Sequence, residues 1–276
     1  MKFRTAIEPI KGRKPINHDM SIIMLGSCFT SEVGKRLYRD GFNIDINPMG
    51  ALYNPVTIAN AIERAMESRF YTPDEFVWHD GTWHCLDFPT TYQSESAEVL
   101  ASNVNSALTA MGQRLSNADI WIVTFGTARI YTFEDNRIVG NCHKLPGNRF
   151  TTRLLSIDEI ISRWEPLINN RRVIFTISPI RHLADGLHGN QLSKATLQLA
   201  VNHMNKAEYF PAYEILIDDL RDYRFYASDM KHPSETAVDY IYEQFADTYF
   251  QPLTVDLAIK RRKDALAMAH HTIISK

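Results

Sequence analysis

Two short stretches of this chain hold residue types that can act together on a carbonyl group. Gly26-Ser27-Cys28 ends the apolar run 22–25 and opens a patterned, partly charged segment; Asp229-Met230-Lys231-His232 stands directly before Pro233, Ser234 and Glu235. A carboxylate three residues before a histidine, in a turn, can accept a hydrogen bond from one imidazole nitrogen and leave the other free as a general base. The Pro-Ser-Glu that follows marks a helix start, which would hold that turn in place. The same spacing suits a helix cap with a solvent-facing histidine, so the pair alone leaves both readings open. A serine at the end of a buried strand, preceded by glycine and followed by a helix, presents its hydroxyl and nearby backbone N–H groups at one rim. Ser27 needs a proton acceptor to attack, and His232 is the candidate. Cys28 is the rival nucleophile, favoured by thiolate stabilisation at a helix N-terminus. The sequence favours a packing role for Cys28, because small buried cysteines are common and neighbours at a turn point in different directions.

These residues need elements to bring them together. The segments 21–25, 42–46, 119–125, 171–178 and 213–218 are apolar and rich in β-branched or aromatic residues, and most are too continuously apolar to have a wet face. They are predicted as buried parallel strands. Between them, 30–40, 55–68, 96–115, 156–169, 190–207 and 233–250 carry helical spacing, with Val238, Ile241, Phe245 and Tyr249 on one stripe of the last. Regular alternation of strand and helix predicts a parallel sheet covered by helices on both faces. Two stretches, 75–88 and 129–141, are predicted as β-hairpins with turns at Asp80-Gly81 and Asp135-Asn136. In an open parallel sheet the loops beyond the carboxyl ends of the strands converge on one rim, where ligands bind. That rim would collect Ser27 and Cys28, then Asn47 to Gly50, then Gly126, Thr127 and Arg129, then Ser178, Arg181 and His182, and finally Asp229 and His232.

The remaining composition excludes more than it assigns. The chain has 276 residues, 45% of them hydrophobic and 22% charged, with a formal net charge of -2, so no global charge draws it to nucleic acid or to an anionic membrane surface. Cys28, Cys85 and Cys142 form neither a CxxC pair nor a disulfide ladder, which fits a reducing compartment. The first twenty residues place charges and prolines where a leader needs an unbroken apolar core, and no segment reaches the length of a membrane span. A cytoplasmic protein without membrane or nucleic-acid partners is the expectation. Cys142-His143-Lys144, Arg181-His182 and the group His79, His84 and Cys85 lack the spacing of common zinc motifs, so neither metal nor cofactor is expected. Arg129, His143, Lys144, Arg181 and His182 are instead expected either as a basic rim for an anionic or polyhydroxylated substrate or as loop anchors. Trp78, Trp83, Phe88, Tyr92, Tyr131 and Phe133 suit either sugar stacking or small satellite cores. Leu257, Ile259, Leu266 and Met268 give the C-terminal segment an apolar side, beside the basic run 260–263.

The blocks "GSCFTSEVGKRL", "NPMGALYNP", "FGTARIY", "NCHKLP", "SPIRHLADG" and "DMKHPSE" follow one another in that order. Together they resemble the GSCFA domain family, named for its Gly-Ser-Cys-Phe-Ala signature and related to the SGNH (GDSL-like) hydrolases; Thr30 stands here in place of the alanine. The resemblance covers nearly the whole chain. It implies a three-layer α/β/α fold of flavodoxin-like type, with a doubly wound five-stranded parallel sheet and the hairpins as insertions. One domain over residues 1–253 and a helical extension over 254–276 are expected. The resemblance further implies a serine esterase, with Ser27 as nucleophile, His232 as base and Asp229 as the acid that orients it. The N–H groups of Ser27 and Gly50 would form the oxyanion hole. SGNH enzymes carry Gly-x-Asn-Asp in the third block, where this chain has Gly126-Thr127-Ala128-Arg129, so Thr127 is the residue left to complete the hole. The expected substrate is a small-molecule or carbohydrate ester carrying a short acyl group. A non-catalytic glycan- or anion-binding domain and an acyltransferase are the alternatives.

Overall fold

The computed structural model describes residues 4–8 and 13–274, and the side chains of residues 265–274, including Leu266 and Met268, lie outside the described residues. The apolar runs become strands β1 (Ser21–Gly26), β2 (Asn43–Ile46), β6 (Ile120–Phe125), β10 (Val173–Ile177) and β11 (Glu208–Phe210) of one sheet. Its order is β11-β10-β6-β1-β2, with every neighbouring pair parallel. Numbered along the chain, that order is the flavodoxin-like one, in which the winding direction switches between the first and third strands of the sheet. β6 and β10 are buried at every position, as their lack of alternation required.

Successive side chains of a strand point to opposite faces, and here each face has its own core. Ile23, Leu25, Trp121, Val123 and Phe125 pack under α2 (Pro55–Met66), α3 (Ala97–Asn117), α4 (Ile157–Ile168) and α5 (Gly186–His203). Ile22, Met24, Ile120, Ile122 and Ile174 pack under α1 (Cys28–Arg39) and α7 (Glu235–Tyr249). A final helix, α8 (Pro252–Ile274), is pinned to the end of α1, where Arg262 bonds the buried Asp40 carboxylate at 2.5 Å. Among the described residues, no helix is long and apolar enough to cross a membrane.

One strand is displaced. The segment 213–218 is helical, formed by α6 (Ala212–Glu214) and a π-helical turn (Ile215–Leu220), and the fifth strand lies just before it. Pro211 separates the two and has no N–H to continue the ladder. Ile215, Leu216 and Leu220 then bury one face against the second core. A short apolar run supports either element, and periodicity alone does not separate them.

The two hairpins form as predicted, and each gains a strand. β3 (Val77–His79) and β4 (Thr82–His84) turn through Asp80 and Gly81, both with positive φ, and β5 (Gln93–Ser94) joins them. β7 (Arg129–Phe133) pairs with β8 (Ile138–Val139) and on its other edge with β9 (Phe150–Leu154). Because β7 starts four residues after β6 ends, this small sheet rises from the rim of the large one and walls one side of it.

Candidate active site

The rim is assembled from the end of β1 outward. Gly26 has a φ of +138°, and a Cβ there would collide with the Thr124 carbonyl of β6, so glycine is what lets the strands approach as they end. Its N–H donates to Asn47 Oδ1 at 2.8 Å, and Asn47 Nδ2 donates to Ser31 Oγ at 3.0 Å, which joins the loop after β2 to the start of α1. Ser27 is the N-cap residue of α1 with an extended backbone, yet its side chain caps nothing. It is fully buried, and among the described residues its hydroxyl has no hydrogen-bond partner. Cys28, the first helical residue, is half-buried, with Sγ 3.1 Å from the Tyr53 hydroxyl.

Tyr53 links two strand ends. Its carbonyl accepts the N–H groups of Gly126 at 2.7 Å and Thr127 at 3.0 Å, fixing the loop after β6 beside Cys28. Burial, and then the neighbouring Cys28, push the phenol up, so it keeps its proton and donates to the sulfur whenever Cys28 is a thiolate. A hydrogen bond to a charged group contributes about 1.5–3 kcal/mol. Tyr53→Phe is therefore expected to slow alkylation of Cys28 by iodoacetamide at neutral pH about tenfold. Burial pushes the Cys85 and Cys142 thiols up, which suppresses their reaction, and peptide mass spectrometry reads Cys28 separately.

Asp229 and His232 are built as a unit. Asp229 Oδ2 lies 2.6 Å from His232 Nδ1, and Oδ1 accepts the N–H groups of Lys231 at 2.9 Å and His232 at 3.0 Å. These bonds, the His232 N–H first, hold the Asp229 carboxyl well below the usual carboxylate range. A carboxylate facing Nδ1 places the imidazole proton there and leaves the Nε2 lone pair free. Met230 takes a left-handed turn with φ 58°, and the Ala227 N–H closes it onto the His232 carbonyl at 2.7 Å. The cap of α7 is Ser234, whose Oγ accepts the Ala237 N–H, so Asp229 is not occupied in capping.

A cleft of about 390 Å³ opens over the switch point, and its wall includes Cys28, Tyr53, Thr127, Arg129, His182 and His232. Its apolar portion is formed by Val139, Ile180, Leu183 and Ala184. Ser27 does not reach this wall. Among the described residues no hydrogen bond joins His232 Nε2 to either candidate nucleophile: the Ser27 hydroxyl is unpartnered, and the sulfur of Cys28 meets Tyr53.

The other expected residues divide. Gly50, with φ +82°, donates its N–H to the Asn47 carbonyl at 2.7 Å and packs against Pro89, so this N–H is engaged within its own turn. The Thr127 hydroxyl lies 2.9 Å from Ser193 Oγ and accepts the Arg129 N–H at 3.0 Å. Arg129 is paired with Asp185 at 2.5 Å. Arg181 donates to the Met230 carbonyl at 2.9 Å and lies over the rings of Tyr223 and Tyr226, bracing the Asp229 turn. His143 is away from the cleft, buried beneath the hairpins, with its ring between His84 Nδ1 at 3.1 Å and the Phe88 carbonyl at 2.8 Å. Lys144 is exposed and also absent from the cleft wall. Among the described residues, no group of three or more His, Cys, Asp or Glu side chains is placed to hold a metal.

Lys194 carries a role that the motif reading missed. It is fully buried, and Nζ donates to the carbonyls of Gly126 at 2.6 Å and Ser178 at 2.7 Å, binding the ends of β6 and β10 together. The signal was available: Asn190, Ser193, Lys194, Leu197 and Val201 form the buried stripe of α5, and a lysine on such a stripe needs internal partners. Burial lowers its ammonium to about 7 from an ordinary 10.5. The unfolded chain therefore holds more protons across that interval, and the stability linked to this group rises with pH from about 7 to about 10. Lys194→Met would orphan two carbonyls at a cost of about 1–3 kcal/mol. Chemical denaturation should show the variant's deficit widening as pH rises through that window.

The family model described as the GSCFA family matches residues 21–245, a span that runs from β1 into α7 and includes both halves of this site. No curated protein matches, and no solved structure matches.

Proposed function

The chain belongs to the GSCFA family, and on that premise we propose that it is an ester hydrolase that works through an acyl-enzyme, with Cys28 as the nucleophile. The single observation carrying this reading is that Cys28, and not Ser27, belongs to the cleft wall that includes His232. His232 Nε2 takes the thiol proton as sulfur attacks the ester carbonyl, and returns it to the departing alkoxide, leaving a thioester. Water then attacks the thioester with His232 again as base, freeing the acid and the thiol. Asp229 holds the ring in the required tautomer throughout. The first N–H groups of α1 have no intrahelical acceptor and favour both the thiolate and the oxyanion.

The apolar part of the cleft suits a short acyl chain, and Tyr131 at its wall offers one face to a sugar or other ring on the alcohol side. The other aromatics named for that purpose are placed differently: Phe88 and Phe133 are buried in separate cores, and Trp78 and Trp83 pair with each other on the hairpin. His232 is 47% exposed, which gives water access to its nitrogen and favours hydrolysis over transfer to a second alcohol.

A second reading, attack by Ser27, is supported by its unpartnered hydroxyl. Short p-nitrophenyl esters test the proposal. A burst of nitrophenol stoichiometric with enzyme, abolished by prior iodoacetamide treatment, is expected. Turnover that persists after complete alkylation of Cys28 would return the role to Ser27, and no turnover at all would favour a binding domain.

A further inference from the structure

We infer that a recess beside the cleft is a subsite for an anionic group, and that the acyl chain of the substrate ends in a carboxylate held there by Arg181 and Arg221. The inference rests on the ester-hydrolase reading above and names the class of ester. The recess has a volume of about 210 Å³, and its wall includes Arg181, Gln191, Arg221, Tyr223 and Tyr226. Arg181 also belongs to the cleft wall, in the same segment as Ile180, Leu183 and Ala184 of the apolar portion that suits an acyl chain. The two hollows share this arginine, so a chain lying against that segment has a cation beside it.

Arg181 is fixed in place with donors left over. Nη1 donates to the Met230 carbonyl at 2.9 Å, the backbone N–H donates to the Lys231 carbonyl at 3.0 Å, and Cζ lies 5.8 Å from the ring centroid of Tyr223 and 5.4 Å from that of Tyr226. Among the described residues Nε and Nη2 have no partner, and neither is a buried atom, so both are open to solvent. A guanidinium already held over aromatic rings loses little freedom when its remaining N–H groups take a carboxylate. Arg221 is exposed, and among the described residues no carboxylate pairs with it or with Arg181. Asp222, the acidic residue on the recess wall, is engaged elsewhere: Oδ1 accepts the Arg224 N–H at 2.9 Å, and Oδ2 lies 3.7 Å from Arg224 Nε. The Arg221 backbone is left-handed, with φ 39° and ψ 35°, where the π-helical turn ends. Glycine or asparagine adopts that conformation with less strain, so an arginine here holds its charge against a backbone cost. Strain kept at one residue of a recess points to a task for its side chain.

Two esters test this in the full chain: mono-p-nitrophenyl adipate, whose acyl chain ends in a carboxylate, and p-nitrophenyl hexanoate, whose chain has the same length and no charge. The wild type is expected to show a kcat/KM about tenfold or more higher for the adipate at low ionic strength, carried by KM and shrinking as salt is added. Arg221→Gly removes one guanidinium and relieves the left-handed backbone, so the fold is kept, and the ratio of adipate to hexanoate should fall about tenfold. Arg181→Gln should lower that ratio by a similar factor, while loss of the bond to Met230 slows both esters. A wild type that treats the two esters alike would overturn the inference. So would a ratio that neither variant moves, because a purely structural role slows both esters equally. If the wild type cleaves neither ester, the ester-hydrolase reading itself fails, and this failure is distinguishable because it needs no variant. Calorimetry with monomethyl adipate then still reads the subsite: binding weakened about tenfold by Arg221→Gly supports it, and binding absent from the wild type, or equal in both proteins, overturns it.

Discussion

Cys28→Ala is expected to abolish the acyl-enzyme burst and lower kcat/KM for short esters by about a thousandfold or more, while leaving the fold intact. Removing a nucleophile leaves only the rate enhancement from binding and electrostatic stabilisation, and triad members act as a unit. Cys28 is half-buried, its sulfur contacts the Tyr53 hydroxyl, and alanine has the higher helix propensity, so stability changes little. Ser27→Ala should behave in the opposite way. Its hydroxyl is buried, unpartnered and not used as a cap, and losing it removes no hydrogen bond. Activity within about tenfold of the wild type is expected for that variant. The pair of substitutions assigns the nucleophile, because the two residues are adjacent in sequence and opposite in environment. Their separation comes from the backbone: Ser27 lies at φ -70° and ψ 177°, before the helix, and Cys28 is the first residue inside it.

His232→Ala should lower kcat about 10²- to 10⁴-fold, the usual range for loss of a positioned general base. Binding need not suffer, so KM is expected to move little. The side chain is about half-exposed, and its removal leaves a gap open to solvent, so added imidazole should restore part of the activity. Asp229→Asn would present an amide where the carboxylate accepts three hydrogen bonds, including the one from Nδ1. The imidazole would then favour the wrong tautomer, and a loss approaching that of His232→Ala is expected. Steady-state ester hydrolysis with each variant, with and without imidazole, measures both.

The sheet was legible because β1, β6 and β10 are almost continuously apolar, and its rim because chemistry-bearing residues follow the strands. The expectation for 213–218 failed at a point where six residues fit two elements and only Pro211 marks the boundary. The Asp229 turn was readable from spacing and from the Pro-Ser-Glu start of α7. What separates Ser27 from Cys28 was not readable, since it depends on a single N-cap conformation rather than on residue type. The basic rim divided for a similar reason: Arg129, Arg181 and His182 sit on loops leaving the sheet, while His143 and Lys144 belong to a loop that folds back under the hairpins with positive φ at both residues. Tyr53 gave no advance signal, because its task is done as much by its carbonyl as by its hydroxyl.

The central claim is that a thiol carries the acyl group. Brief reaction with p-nitrophenyl acetate, acid quench and peptide mass spectrometry locate the adduct directly. One acetyl group on the side chain of Cys28, released by neutral hydroxylamine as a thioester should be, is the predicted result. An acetyl ester on Ser27, with Cys28 free, would contradict it.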